Sequence, residues 1–487
     1  MKKDNFKTNF AFQMFYQIVT LVIPLVIAPY LTRTLGENAL GIYSYTYSIA
    51  FCFMTFARLG IDKYGQRLIA SVRDNEQRLR KEFWSLYVIH VIFTIFALLL
   101  YIVLINIFRD SNYYVYLAQG IAIIGVAFDI TWLYYGLENF KLIVIGNLCV
   151  KLVELFLIFA LVKNSNDIII YTIIMSFAIC LGYIIVLPYT LKHIKFIKIE
   201  FSDLTKHIKP LLILFIAVIA NTAYQIIDKT LLGILSSNAN VAYYEYANKI
   251  VNVPVNLIYV MGTVLMPRAC AYAAKGDQKD QVKFLNYSMH FVGFLGFGMM
   301  FGLMGVAKLF SVIYYGTSFE YCGKLMMILS PVIVLLGFEN ILRTQYMIPN
   351  HMDKQFTACI LLSDVVNLIS SATLIRIIGA PGAVIGTLIA ESICCIVQTL
   401  LCKDFVSTKT IAKILSPYCI AGLIMYLVIT LVKHYYNTSP MDLILQIIVG
   451  GCAYSVICTV YLFFVSDIKI TIRNAIKHKL KRSNDKK

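Results

Sequence analysis

Apolar runs of about twenty residues, separated by short polar connections, follow one another through almost the whole of this 487-residue chain. A run of that length is what an α-helix needs to cross the hydrocarbon of a bilayer. Backbone groups there find partners only within helices or a closed barrel. Fourteen such runs are readable, the first at about residues 10–32 and the last at about residues 441–465. The expected fold is therefore an all-α polytopic membrane protein with about 14 transmembrane helices. Composition agrees: 59% of residues are apolar and 14% charged, where soluble domains have about 45–50% and about 25%. The first run exceeds signal-sequence length and has no clear small-residue cleavage site, so it reads as a span.

A net charge of +17 would suggest a nucleic-acid partner in a soluble chain. Here its distribution gives a different explanation. With the termini and alternate loops assigned to one side, 31 of the 43 Lys and Arg residues lie on that side and seven on the other, with five inside or at the edges of spans. Cytoplasmic loops accumulate cations, so both termini are expected in the cytoplasm and no nucleic acid is implied. The connections on the other side are short, which leaves no room for a folded external domain. No phosphate-binding loop of the Gly-x4-Gly-Lys-Ser/Thr type occurs, and no cofactor or metal constellation is readable. The twelve cysteines lie almost entirely in apolar runs without CxxC spacing and read as small packing residues.

An internal repeat organises the runs. GIYSYTYSI, from Gly41 to Ile49, aligns with AYYEYANKI, from Ala242 to Ile250. Gly41 meets Ala242, Tyr43 meets Tyr244, Tyr45 meets Tyr246 and Ile49 meets Ile250, which is a displacement of six spans. The repeat implies two six-helix lobes: residues 1–205 as an N-terminal lobe of spans 1–6 and residues 206–404 as a C-terminal lobe of spans 7–12. Residues 405–466 hold two C-terminal helices and residues 467–487 a basic cytoplasmic tail, expected to lie against anionic lipid. Parallel lobes of this kind build alternating-access transporters around a central cavity.

Ionisable residues inside spans are costly and point to function. Span 7 offers Asn221, Gln225 and Asp228, with Tyr224 and Lys229 beside them; span 8 offers Glu245, Asn248, Lys249, Asn252 and Asn256. Span 2 places Ser44, Ser48, Thr55, Arg58 and Asp62 on one face, and span 10 carries Glu339, Asn340 and Arg343. Three pairs, Lys151 with Glu154, Glu245 with Lys249 and Glu339 with Arg343, have the spacing of intrahelical ion pairs. Arg58 has no nearer carboxylate on its helix than Asp62, which makes it a cation for an anionic ligand or a side chain that reaches the interface. Asp129, Asp364 and Glu391 have no local partner and are candidates for a coupling ion, or for neutral hydrogen-bonded burial.

The segment PYLTRTLGENALGIYSYTYSIAFCFMTFARLGIDKYGQRLIA, then DKTLLGIL followed by YYEYANKI, VLMPR and RTQYMIP, closely resembles the oligosaccharide flippases of the polysaccharide transporter family. That family belongs to the superfamily of multidrug and toxic-compound exporters and the lipid II flippase. The resemblance implies a transporter rather than an enzyme, in a bacterial plasma membrane. Its substrate would be an undecaprenyl-diphosphate-linked oligosaccharide repeat unit, for O-antigen or capsule synthesis. It implies Arg58, Lys249 and Arg343 as diphosphate-binding residues, and Asn221, Gln225, Asn252 and Tyr244 as glycan-facing. Membrane lipids, a polysaccharide polymerase and assembly proteins are the partners it suggests. Two other readings stay open: a cation-coupled multidrug exporter of the same superfamily, and a membrane glycan polymerase or glycosyltransferase. Basic in-span residues weigh against the first, and short outer loops against the second.

Overall fold

The computed structural model describes residues 6–139, 141–276, 278–403, 405–435 and 439–464. The basic tail, residues 467–487, lies outside the described residues. Helices follow in chain order as α1 (Phe6–Thr34), α2 (Gly36–Arg58), α3 (Ile61–Val72), α4 (Glu76–Ile107), α5 (Tyr113–Val126), α6 (Thr131–Gly136), α7 (Lys141–Leu161), α8 (Ile168–Ile184) and α9 (Leu187–His193). They continue as α10 (Phe201–Leu235), α11 (Asn238–Ala274), α12 (Gln278–Tyr315), α13 (Glu320–Leu329), α14 (Val332–Leu342), α15 (Asp353–Ile378), α16 (Ala380–Leu401), α17 (Thr408–Tyr435) and α18 (Pro440–Phe464).

Among the described residues, eleven helical segments are long and apolar enough to cross a membrane. A twelfth is the pair Thr317–Leu329 and Val332–Met347, bent by 43°. Pro331 stands at that joint and caps α14, and a proline there supplies no backbone N–H to carry the helix through. The other two expected spans coincide with α1 and α10, some of whose side chains lie outside the described set.

The chain divides into two compact units, residues 1–245 and 246–487. In the first, α4 illustrates the packing. Ile92, Ile95, Phe96, Leu99, Val103 and Ile107 form a helical stripe of exposed large side chains, the apolar face that a lipid environment accepts. The opposite face, Leu86, His90, Thr94, Ala97, Tyr101 and Ile105, is buried. It meets Ala50, Met54 and Ala57 of α2 and Ala122, Ile123 and Val126 of α5. Small residues at such positions let helices approach closely. A second core gathers Ile61 and Ile69 of α3, Phe83 of α4 and Trp132, Leu133 and Tyr134 of α6.

Two glycines permit close backbone approaches in this unit. Leu59 and Gly60 adopt left-handed backbone conformations, φ 47° and 75°, and break the expected second span into α2 and α3. A Cβ on Gly60 would stand 3.1 Å from the Phe215 backbone nitrogen, so the break also seats α3 against α10. Gly41 lies against the first turn of α11, where a Cβ would stand 1.7 Å from the Asn238 carbonyl oxygen. The first-unit copy of the repeat thus has the glycine that this approach requires.

The second unit has its own core, with Phe301 on α12, Tyr418, Ala421, Met425 and Ile429 on α17, and Tyr454 and Cys458 on α18. All twelve cysteines are free thiols.

Candidate functional site

Each unit holds a cluster of charged and polar side chains on its apolar helices. In the first, the break after Arg58 leaves that residue at the end of α2, and its guanidinium meets groups from three other elements. Arg58 Nη2 lies 3.4 Å from Asp129 Oδ2 and donates to the Tyr183 hydroxyl on α8. The guanidinium carbon stands 5.7 Å from the Tyr183 ring centre. Asp129 occupies the connection between α5 and α6. Its Oδ1 accepts from the Thr131 backbone N–H at 3.1 Å and from the Thr131 hydroxyl at 2.6 Å. Trp132 Nε1 donates to the Asp129 carbonyl at 3.1 Å. Asp62 on α3 lies within electrostatic range of both Arg58 and Asp129. Arg58 and Asp129, read from the sequence as an anion site and an ion site, are here one ion pair in which Asp129 is buried and Arg58 partly exposed. Arg58 Nε is left without a hydrogen-bond partner among the described residues.

Beside this cluster the polar residues of α10 and the start of α11 engage one another. Tyr244 is buried, and its hydroxyl donates to Asp228 Oδ2 at 2.7 Å. Lys229 Nζ lies 3.1 Å from Glu245 Oε2. Thr230 shares a 3.1 Å hydroxyl contact with Ser48 of α2. Gln225 is exposed on α10; the side chains of Asn221 and Tyr224 lie outside the described residues. Lys151 and Glu154 form the expected pair on α7 at 2.7 Å. Tyr43 packs on Tyr47 and Tyr171, with ring centres 5.8 and 4.7 Å apart.

The second unit's cluster is less fully paired. At Arg343 the helix passes from α14 into a π-turn, Arg343–Met347, a local widening common where a side chain is aimed at a ligand. The Arg343 guanidinium carbon lies 5.9 Å from the Tyr259 ring centre on α11 and 5.5 Å from that of Phe356 on α15. Its Nε has no hydrogen-bond partner among the described residues, nor has Glu339 Oε1, so the spacing of an intrahelical pair between them produces none. Glu391 and Cys394 on α16 lie within electrostatic range of Glu339. Gln398 Nε2 lies 3.5 Å from Glu339 Oε2 and 3.3 Å from Cys394 Sγ. Elsewhere in this unit, Lys249 Nζ stands 4.3 Å from the Tyr246 ring centre, and Asn252 Nδ2 donates to Asn248 Oδ1 at 3.1 Å. Both carboxylate oxygens of Asp364 on α15 are buried without a hydrogen-bond partner among the described residues.

Sequence reasoning brought out the charged residues and missed what meets them. Tyr183 and Gln398 carried no signal beyond membership of apolar helices. The signals that could have found the break points were the Asp129-x-Thr131 pattern of an Asx turn and Gly60 as a stop for α2.

A polytopic all-α protein with buried charge clusters inside its spans is the class that this fold and these sites define. The model of the polysaccharide biosynthesis protein family matches residues 6–272, more than half of the chain, and the protein belongs to that family. It is 21% identical over 403 residues to a protein named as an O-antigen transporter in Escherichia coli (strain K12), covering 82% of this chain and 96% of the relative. It is 22% identical over 375 residues to a like-named protein of Shigella dysenteriae, covering 76% and 93%. Among solved structures, the lipid II flippase MurJ in an inward closed conformation superposes with a TM-score of 0.72 at 17% identity, over 93% of this chain and 98% of that one. An inward-facing multidrug resistance transporter of the MATE family gives 0.57 at 13% identity, over 81% and 98%. The chain therefore has the fold of this transporter superfamily.

Proposed function

We propose that the protein flips an undecaprenyl-diphosphate-linked oligosaccharide repeat unit from the inner to the outer face of a bacterial plasma membrane, by alternating access and without enzymatic chemistry. Family membership and the names of its relatives support the export of a surface-polysaccharide precursor. The excess of Lys and Arg on one side supports cytoplasmic termini. The observation that carries the reading is Arg343: a guanidinium at membrane depth, set against Tyr259 and Phe356, with its Nε unpartnered. A lipid diphosphate brings the paired oxygens that such a fork binds, while the prenyl tail stays in the bilayer.

In this reading Arg343 holds the diphosphate and Lys249 assists. Asn252 and Gln225 face the glycan, with Asn221 as a further candidate. Arg58 sustains the first unit through Asp129 and turns to phosphate only when that pair opens. Transfer of the glycan to a polymerase and its assembly proteins would follow at the outer face. The test is reconstitution into liposomes that hold a fluorescent polyprenyl-diphosphate oligosaccharide. Protein-dependent appearance of label in the outer leaflet is expected. Transport of hydrophobic drug cations without movement of the lipid would overturn the reading in favour of an exporter.

A further inference from the structure

We infer that Gln281 and Ser288 of α12 are positioning residues for Arg343: they hold Gln345 by its backbone and by its side chain, keep the π-turn open, and so fix the direction in which the guanidinium points. The consequence for ligand binding rests on the reading of Arg343 as the diphosphate residue; the clasp on Gln345 does not.

The turn has a cause in the sequence two residues beyond it. Pro349 brings no backbone N–H, and in a regular helix its ring would press on the carbonyl four residues back, which is that of Gln345. Widening the helix avoids the collision. The Ile348 N–H donates to the Arg343 carbonyl at 2.9 Å, five residues back instead of four, and the Asn350 N–H donates to the Tyr346 carbonyl at 3.0 Å. The Gln345 carbonyl thereby loses its helical donor, because Pro349 has no N–H to give and the N–H of Asn350 is engaged one position further on. A buried carbonyl is rarely left in that condition. Gln281 answers it from α12, its Nε2 donating to the Gln345 carbonyl at 3.3 Å.

The Gln345 side chain is held by the same helix. Its Nε2 donates to Ser288 Oγ at 2.7 Å, and the Ser288 hydroxyl donates onward to the Phe284 carbonyl at 3.1 Å. Gln281 and Ser288 stand about two turns apart on one face of α12, and with Gln345 they are 3%, 4% and 1% exposed. The rest of the turn is braced as well. The Thr344 hydroxyl donates to the Asn340 carbonyl at 2.7 Å, and the Tyr346 ring stacks on that of Phe405 with centres 4.1 Å apart. The residues that follow Arg343 are thus tied down, while the guanidinium has an unpartnered Nε among the described residues and lies against the rings of Tyr259 and Phe356. A ring face accepts a cation over a broad area, so the aim of the guanidinium comes from the backbone that carries it. Gln281 and Ser288 act on that backbone through Gln345.

The experiment pairs ligand affinity with stability in the full-length protein in nanodiscs, with farnesyl diphosphate as the probe and Arg343→Ala as control. Gln281→Met keeps the length of the side chain and removes the donor; Ser288→Ala removes a single oxygen. Affinity per folded protein should fall about tenfold in Gln281→Met and about threefold in Ser288→Ala, the scale of one lost hydrogen bond, with a lower unfolding temperature in each. Pro349→Ala added to Gln281→Met then separates aim from packing. It returns an N–H to the Gln345 carbonyl and lets the helix close on it, so the unfolding temperature should recover while the affinity stays low. Recovery of both, or wild-type affinity in both single variants, overturns the positioning role and makes the clasp a packing feature. If Gln281→Met does not fold, Ser288→Ala decides by the same comparison. Wild-type binding by Arg343→Ala removes the diphosphate reading itself, whereas weak binding by Arg343→Ala beside wild-type binding by the α12 variants removes the positioning role alone.

Discussion

The two units treat a partly buried arginine in opposite ways. In the first, Arg58 is held by Asp129 and Tyr183, and Asp129 is itself held by Thr131. In the second, Arg343 rests on aromatic rings and makes no ion pair with the Glu339 carboxylate one turn away. Removing one partner from a buried ion pair exposes the full cost of the remaining charge, whereas a cation without a carboxylate partner has less structure to lose and more capacity for a ligand. On the proposed reading, the first cluster serves integrity and the second exchange.

The largest effect that distinguishes them should come from Asp129→Ala, which leaves the partly exposed Arg58 without its carboxylate and is expected to cost about 1–3 kcal/mol. Thermal unfolding in detergent should record the loss, and Arg58→Leu in the same chain should restore part of it. A harmless Asp129→Ala would end the contrast. Next is Arg343→Ala. Membrane abundance should be close to wild type while diphosphate binding falls about ten- to a hundredfold, the worth of a charge-assisted hydrogen bond. Arg343→Lys should recover only part, because the fork is lost. Equal losses of abundance and binding would make Arg343 another structural pair.

Smaller effects sharpen the comparison. Tyr244→Phe removes one buried hydroxyl from Asp228 and should cost about 1 kcal/mol, read as a lower unfolding temperature with substrate affinity unchanged. A change in affinity instead would support Tyr244 as a glycan-facing residue. Asp203 gives the smallest. The Lys81 ammonium, 2.9 Å away, and then the Glu200 backbone N–H hold its carboxyl below the usual range. Its contribution is thus complete above the ordinary carboxylate range and disappears as pH falls through the lowered value. Asp203→Asn should therefore lower stability slightly at neutral pH and flatten the acid limb of the unfolding profile.

Much of the fold was legible because hydrophobic run length is a property of the chain alone. The stripe from Ile92 to Ile107 and the pair Lys151–Glu154 follow from helical spacing without knowledge of neighbours. Partners across helices were not legible. Glu339 and Arg343 have ideal spacing for each other, yet the helix widens from Arg343 onward and α16 supplies Glu391. Arg58 looks alone on its helix because its counter-ion comes from a turn about seventy residues later in the chain. Tyr244, a natural wall for a sugar by composition, is committed to Asp228 sixteen residues earlier.

The π-turn at Arg343–Met347 makes one part of the chain sensitive to length as well as to identity. An α-helix rotates about 100° per residue, and a π-turn is one residue inserted into that rotation. Here it lets Glu339 and Arg343 address one set of neighbours while Gln345 still donates to Ser288 of α12 at 2.7 Å. Loss of a single residue from this stretch would close the turn into regular helix and swing one set out of register with the other. Related chains that keep this arrangement should therefore keep the residue count of the turn along with its arginine, and an alignment gap there would mark a transporter that handles its ligand differently.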